Sequence, residues 1–183
     1  AVVLFLPLFV LPYGSDFLEL PKQVFLFVGV AIATVAWTVR MLAERKFEYR
    51  RSPVNVFVLL FVLIYGLSTF FSMDRLVSIL GDNGQESASF ASILAFAVLY
   101  FVIASNVRTA KQISALMTAW ILSGLAAGVL VLCQGLGLHL LPLGIAQSAG
   151  FNTIGTVSAL GIYLAATMTI AGAMLMRNRE QDQ

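Results

Sequence analysis

The chain has 183 residues, of which 60% are apolar and only 11% charged, and its formal net charge is +2. A soluble domain carries about 25% charged residues and about 45–50% apolar ones, so this composition excludes a soluble globular fold. The basic residues are scattered through short connections with no stripe able to follow a phosphate backbone, which excludes a nucleic-acid surface.

No Asp, Glu, Lys or Arg occurs between Arg51 and Asp74, from Ser87 to Val107, or from Gln112 to Met176. A helix needs about 20 apolar residues to cross the hydrocarbon core, so the last run must fold back at least once. The expected fold is all-α: a polytopic transmembrane helix bundle of about six spans, with residues 1–183 forming one transmembrane segment.

The first span is Ala1 to Pro12, kinked or ended by Pro7 and Pro12. The chain opens at Ala1 inside an apolar run, without a basic start, so this span is expected to be truncated. The second runs from about Val24 to Val39. Pro21 sits near its start, where a missing N–H costs little. Lys22 can snorkel to the interface, and Trp37 and Arg40 mark the other end. The third spans Val54 to about Phe71, the fourth Ala88 to Ser105, the fifth Ile113 to Gln134, and the sixth Thr153 to Met176. Between the last two, Gly135 to Phe151 holds Gly135, Gly137, Pro142, Gly144 and Gly150. These are breakers expected of an irregular loop, and its leucines would tuck it into the membrane surface.

Charge sets the orientation. With alternating spans, Arg40, Arg45, Lys46, Arg50, Arg51, Arg108, Lys111, Arg177 and Arg179 share one side, and only Lys22 and Arg75 face the other. The positive-inside rule makes the first side cytoplasmic, with Glu48 inside and Asp82 outside.

Several residues have both a chemical and a packing reading. Lys22, in the exterior stretch with Asp16 and Glu19, is a candidate contact for an anionic headgroup or an interfacial anchor. Arg75 has a planar fork suited to phosphate oxygens, or a partner in Asp74 or lipid phosphate. Asp82 and Glu86 are too few oxygens for a metal cage by themselves. His139, the only histidine, is a candidate general base without a carboxylate or arginine nearby in its loop. Cys133 reads as a small buried hydrophobe. Gly124 with Gly128, and Gly161 with Ala165, are small-residue pairs that read first as internal helix packing. No charge lies deep within a span, which argues against a proton-driven transporter.

Four stretches in order carry a resemblance. They are Ser15-Asp16-Phe17-Leu18-Glu19-Leu20-Pro21-Lys22-Gln23, Leu67-Ser68-Thr69-Phe70-Phe71-Ser72-Met73-Asp74, Gly81, and Phe151-Asn152-Thr153-Ile154-Gly155-Thr156-Val157-Ser158-Ala159-Leu160-Gly161. Together they resemble the N-terminal half of the O-antigen ligase and polymerase family. The resemblance implies a bacterial inner-membrane enzyme of about a dozen spans. Such an enzyme moves a glycan from an undecaprenyl pyrophosphate carrier to an acceptor sugar on the exterior face, with no cofactor. It implies as partners membrane lipid, the lipid-linked glycan and the remaining helices of a longer protein. It places the key histidine and a key arginine in a second half beyond this chain, so that this segment alone transfers no glycan. Lys22 and Arg75 would then be auxiliary substrate contacts.

The chain also departs from the family pattern. Asn152 stands where an arginine often precedes the Gly-Thr of the sixth span. Ser158 stands nearest a frequent asparagine, and Gln85 and Glu86 stand where an arginine often precedes the fourth span. A divergent acceptor, a different carbohydrate and an inactive relative are all compatible with these departures. Two other classes remain beside the enzyme: half of a lipid or solute transporter, which inverted repeats would mark, and a non-catalytic membrane scaffold.

Overall fold

A computed structural model describes residues 2–10, 19–45, 52–81, 88–138 and 152–181, and among these residues it is all-helical. The chain is a helical membrane protein. Four helices are long and apolar enough to cross a bilayer: α2 (Glu19–Glu44), α3 (Pro53–Phe70), α6 (Ala110–Gly135) and α7 (Val157–Gln181, apolar as far as Arg177). A fifth, α5 (Phe90–Asn106), is apolar but shorter. Within the four long helices only 11% to 17% of the most apolar stretch is buried by protein. Their outward faces therefore need lipid.

The ends of these helices follow from local chemistry. The hydroxyl of Ser52 caps α3 by accepting from the N–H of Val54, and Pro53 takes the first helical position, where no N–H is needed. Ser89 caps α5 by accepting from the N–H of Ser92 (3.2 Å). Thr156 caps α7 by accepting from the N–H of Ala159 (3.1 Å). The second helix runs further at both ends than the expected Val24–Val39. Its apolar core marks the hydrocarbon crossing, while Glu19 favours the positive N-terminal end. The helix stops at Arg45, whose φ of 49° is left-handed.

The first expected span is not one continuous helix. It comprises a single turn, α1 (Val2–Phe5), and a 3-10 turn at Leu6–Leu8. Pro7 inside that turn removes a backbone donor and crowds the preceding carbonyl. The connection between the third and fourth spans contains a further short helix, α4 (Arg75–Leu80). Asp74 caps it by accepting from the N–H of Val77 (3.2 Å), and Gly81, at φ 94°, ends it.

The chain forms two compact units. In the unit spanning 19–109, α5 packs against α2, α3 and α4. Its buried Ser92, Ala95, Ala97, Val102 and Ser105 are small enough to let these helices approach. In the other unit, α6 packs against α1 and α7. Trp120 donates from Nε1 to Thr167 Oγ1 (3.2 Å), and its ring lies 5.4 Å from that of Tyr163.

Gly124 is buried in that contact, as its spacing anticipates. Gly161 is not. It is exposed with Ala165, and a Cβ at 161 would meet nothing within 4 Å. That pair faces away from the helix contact of its unit, so the internal-packing expectation is corrected there.

The helix α6 ends in a Schellman arrangement: the N–H of Leu138 reaches the carbonyl of Cys133 (2.8 Å) and that of Gly137 reaches Gln134 (2.9 Å). Gly137, at φ 77°, supplies the left-handed residue this needs. The remainder of the expected loop to Phe151, with His139, lies outside the described residues.

Candidate functional site

Where α3 ends and α5 begins, the short α4 encloses one side of a cavity of about 580 Å³. Small-molecule sites typically occupy about 300–1,000 Å³. The hydroxyl-bearing residues lining it are Tyr65, Ser68, Thr69, Ser72, Ser78 and Ser89. Tyr65, Ser68, Thr69 and Ser72 recur at helical spacing, so one edge of α3 continues as polar groups beyond its apolar length. Ser78 arrives on α4 and Ser89 is the cap of α5. None of the described lining residues is charged.

The hydrogen bonds give this lining a polarity. Tyr65 donates its hydroxyl to the carbonyl of Ala88, and Thr69 donates to the carbonyl of Tyr65 (2.9 Å). Ser78 donates to Ser72 Oγ (2.6 Å), Ser72 to the carbonyl of Asp74 (3.2 Å), and Ser89 to Ser92 Oγ (3.1 Å). A hydroxyl has one proton to give and two lone pairs to receive with. These protons are directed into the protein. Among the described residues nothing donates to the oxygens of Tyr65, Thr69 or Ser78. Ser68 alone among the described lining hydroxyls has no partner for its proton, so the cavity offers acceptors more readily than donors.

Gln23, in the first turns of α2, ties the cavity wall together. Its Nε2 lies 3.0 Å from the carbonyl of Leu80, 3.0 Å from Ser89 Oγ and 3.1 Å from Ser92 Oγ. One side chain thus links α2, the end of α4 and the cap of α5.

The two candidate substrate contacts that are described, Lys22 and Arg75, fall beside this cavity, not in it. Lys22 is half-buried in the first turn of α2, one turn after Glu19. Arg75 opens α4, and its guanidinium carbon sits 5.0 Å from the centroid of the Phe70 ring, a cation–π contact. Neither lines the cavity. Asp82, Gln85, Glu86 and His139 lie outside the described residues. The hydroxyls and Gln23 were not anticipated as site residues. The polar spacing along the end of α3 was the available signal, whereas Ser78, Ser89 and Gln23 join it only through tertiary packing.

A second, apolar cavity of about 410 Å³ lies along the same pair of helices. Phe57, Phe61 and Val62 of α3 face Ile93, Phe96 and Tyr100 of α5 there. The hydroxyl of Tyr100 donates to Oδ1 of the buried Asn55 (3.0 Å) at the far end of this groove.

Comparison with protein-family models, with curated proteins and with solved structures finds no match for the chain.

Proposed function

We propose that the chain is the N-terminal half of a bacterial inner-membrane enzyme of the O-antigen ligase and polymerase type. In this reading the complete protein transfers glycan from an undecaprenyl pyrophosphate carrier to an acceptor on the exterior face. The half described here holds carbohydrate at that face and supplies no complete catalytic centre. What carries the reading is a coincidence of residues: Ser68, Thr69, Phe71, Ser72 and Met73, all from the stretch that bears the family resemblance, line the hydroxyl cavity. A glycan is rich in O–H donors, and the acceptors of Tyr65, Thr69 and Ser78 suit it.

A pyrophosphate needs several converging cationic or N–H donors, which this lining does not offer. Lys22 and Arg75 lie near the same membrane face by charge bias and serve as auxiliary contacts to the carrier's phosphates. The general base and the main phosphate-binding groups come from the rest of the protein.

The test uses the intact protein in proteoliposomes with an undecaprenyl pyrophosphate-linked glycan and its acceptor. Ser68→Phe, which fills the cavity from an exposed position, should lower transfer roughly tenfold, the equivalent of about 1.4 kcal/mol. Lys22→Ala and Arg75→Ala should each raise the KM for the donor. Absence of transfer by the intact protein, or full activity in Ser68→Phe, would overturn the reading.

A further inference from the structure

The polar cavity and the apolar groove belong to one seam. On α3 the lining residues run Phe57, Phe61, Tyr65 and Thr69, each one turn above the last. On α5 they run the opposite way, from Tyr100 through Phe96 and Ile93 to Ser89. The seam is therefore apolar along the membrane interior and turns to hydroxyls at one end. Gly66 follows Tyr65 at the cavity end of the seam, where a Cβ would come within 3.2 Å of the Phe90 ring.

We infer that the α3–α5 seam binds a single lipid with an uncharged, hydroxyl-rich headgroup, its chain in the Phe57–Tyr100 groove and its sugar in the Tyr65–Ser89 cavity. The headgroup chemistry follows from the lining. Hydroxyls whose protons are already committed present lone pairs, and a sugar's O–H groups donate to lone pairs. A phosphate at neutral pH brings only acceptors and negative charge, and among the described lining residues it meets no cation and only one side-chain donor not already committed, the hydroxyl of Ser68.

The chain portion follows from the solvent. A groove lined by Phe57, Phe61, Ile93 and Phe96 between two apolar helices of a membrane protein takes up hydrocarbon rather than water, because water gains no polar partner there. Placing sugar directly above hydrocarbon, with no cation between them, fits a glycolipid whose sugar follows its chains without phosphate. This assignment rests on the carbohydrate reading of the cavity, but not on glycan transfer.

The experiment places the full protein in phosphatidylcholine nanodiscs doped with monoglucosyl-diacylglycerol, phosphatidylglycerol or plain diacylglycerol. Native mass spectrometry then counts the lipid retained. The glucosyl lipid is expected to be retained at least fivefold over the other two by the unmodified protein. Ser68→Phe, which fills the cavity, and Val62→Phe, which fills the groove, should each abolish that preference while α2 and α6 keep their helicity. Equal retention of all three lipids by the unmodified protein overturns the assignment without needing any variant. Loss of the preference in Ser68→Phe alone overturns the seam but leaves a carbohydrate cavity standing. Selective retention without glycan transfer upholds the seam while removing the proposed enzymatic function.

Discussion

Gly124 and Thr167 approach so closely across the α6–α7 contact that a Cβ built at 124 would lie 2.5 Å from both Cγ2 and Oγ1 of Thr167. Thr167 is fixed where it stands, since its hydroxyl accepts from Trp120 (3.2 Å) and donates to the carbonyl of Tyr163 (2.8 Å). Gly124→Ala must therefore displace a helix or break this pair, at a cost of about 1–3 kcal/mol. Gly128 supplies the control. A Cβ there would touch only Leu164 Cδ2 at 3.6 Å, an ordinary contact. Thermal melting in detergent, followed by Trp120 fluorescence, should show a lower midpoint for Gly124→Ala and little change for Gly128→Ala. Equal midpoints for the two would refute the close contact.

Gln23 makes a different kind of prediction, because its contacts join three elements. Replacing it by Leu keeps the volume but removes the donor to Leu80, Ser89 and Ser92. Leaving part-buried acceptors without it costs about 1–3 kcal/mol. The loss should be local first: hydrogen exchange of the amides of Val77 to Gly81 should quicken, while those of α6 stay as they were. Unchanged exchange across α4 would mean that Gln23 does not hold it.

Much of the scaffold was legible in the sequence because the bilayer imposes it. Uncharged runs near 20 residues marked α3 and α5, and the glycines from Gly135 onward marked the end of α6, all within a few positions, since lipid leaves the backbone few alternatives to helix. The ends of α2 were less legible because a helix continues into the headgroup layer after its apolar residues stop. The short α4 carried a readable signature, Asp74 before the apolar Leu76 and Val77 and Gly81 after Leu80, but it was hidden inside a connection counted as loop. The cavity was half legible. Tyr65, Ser68, Thr69 and Ser72 share a face by spacing alone, whereas Ser78 and Ser89 reach it only when α4 folds back. Charged residues drew the sequence reading to Lys22 and Arg75, and the cavity is built from neutral hydroxyls.

Orientation is testable at two exposed positions. Met73 is fully exposed at the rim of the cavity it lines, and Glu44 is exposed at the far end of α2 from Gln23, paired with Arg40 at 2.8 Å. That exposed pair contributes only about 0.3–0.5 kcal/mol, so replacing Glu44 is tolerable. In a Cys133→Ser background, Met73→Cys should react with a membrane-impermeant maleimide in intact cells. Glu44→Cys should react only after permeabilisation. The reverse pattern would invert the topology and put the hydroxyl cavity in the cytoplasm.

Asn152 gives the sharpest separation between this chain and the family it resembles. An arginine often stands at that place, and its loss reads in the sequence as a missing phosphate contact. In the structure Asn152 is 3% exposed and builds the turn into α7. Its Oδ1 accepts from the N–H of Ile154 (3.0 Å) and of Gly155 (2.8 Å), and its Nδ2 donates to the carbonyl of Gly155 (3.2 Å). Gly155, at φ 128°, takes a conformation that L side chains rarely adopt, so the turn depends on both residues. Arginine has five donors and no acceptor, so it cannot serve the two N–H groups. Asn152→Arg and Asn152→Ala should each destabilise the protein by about 1–3 kcal/mol. Introducing an arginine there should thus lower the melting temperature and leave affinity for an undecaprenyl pyrophosphate donor no higher than in the parent. A stable Asn152→Arg protein that binds that donor more tightly would show that the position faces the carrier and that the turn tolerates the change.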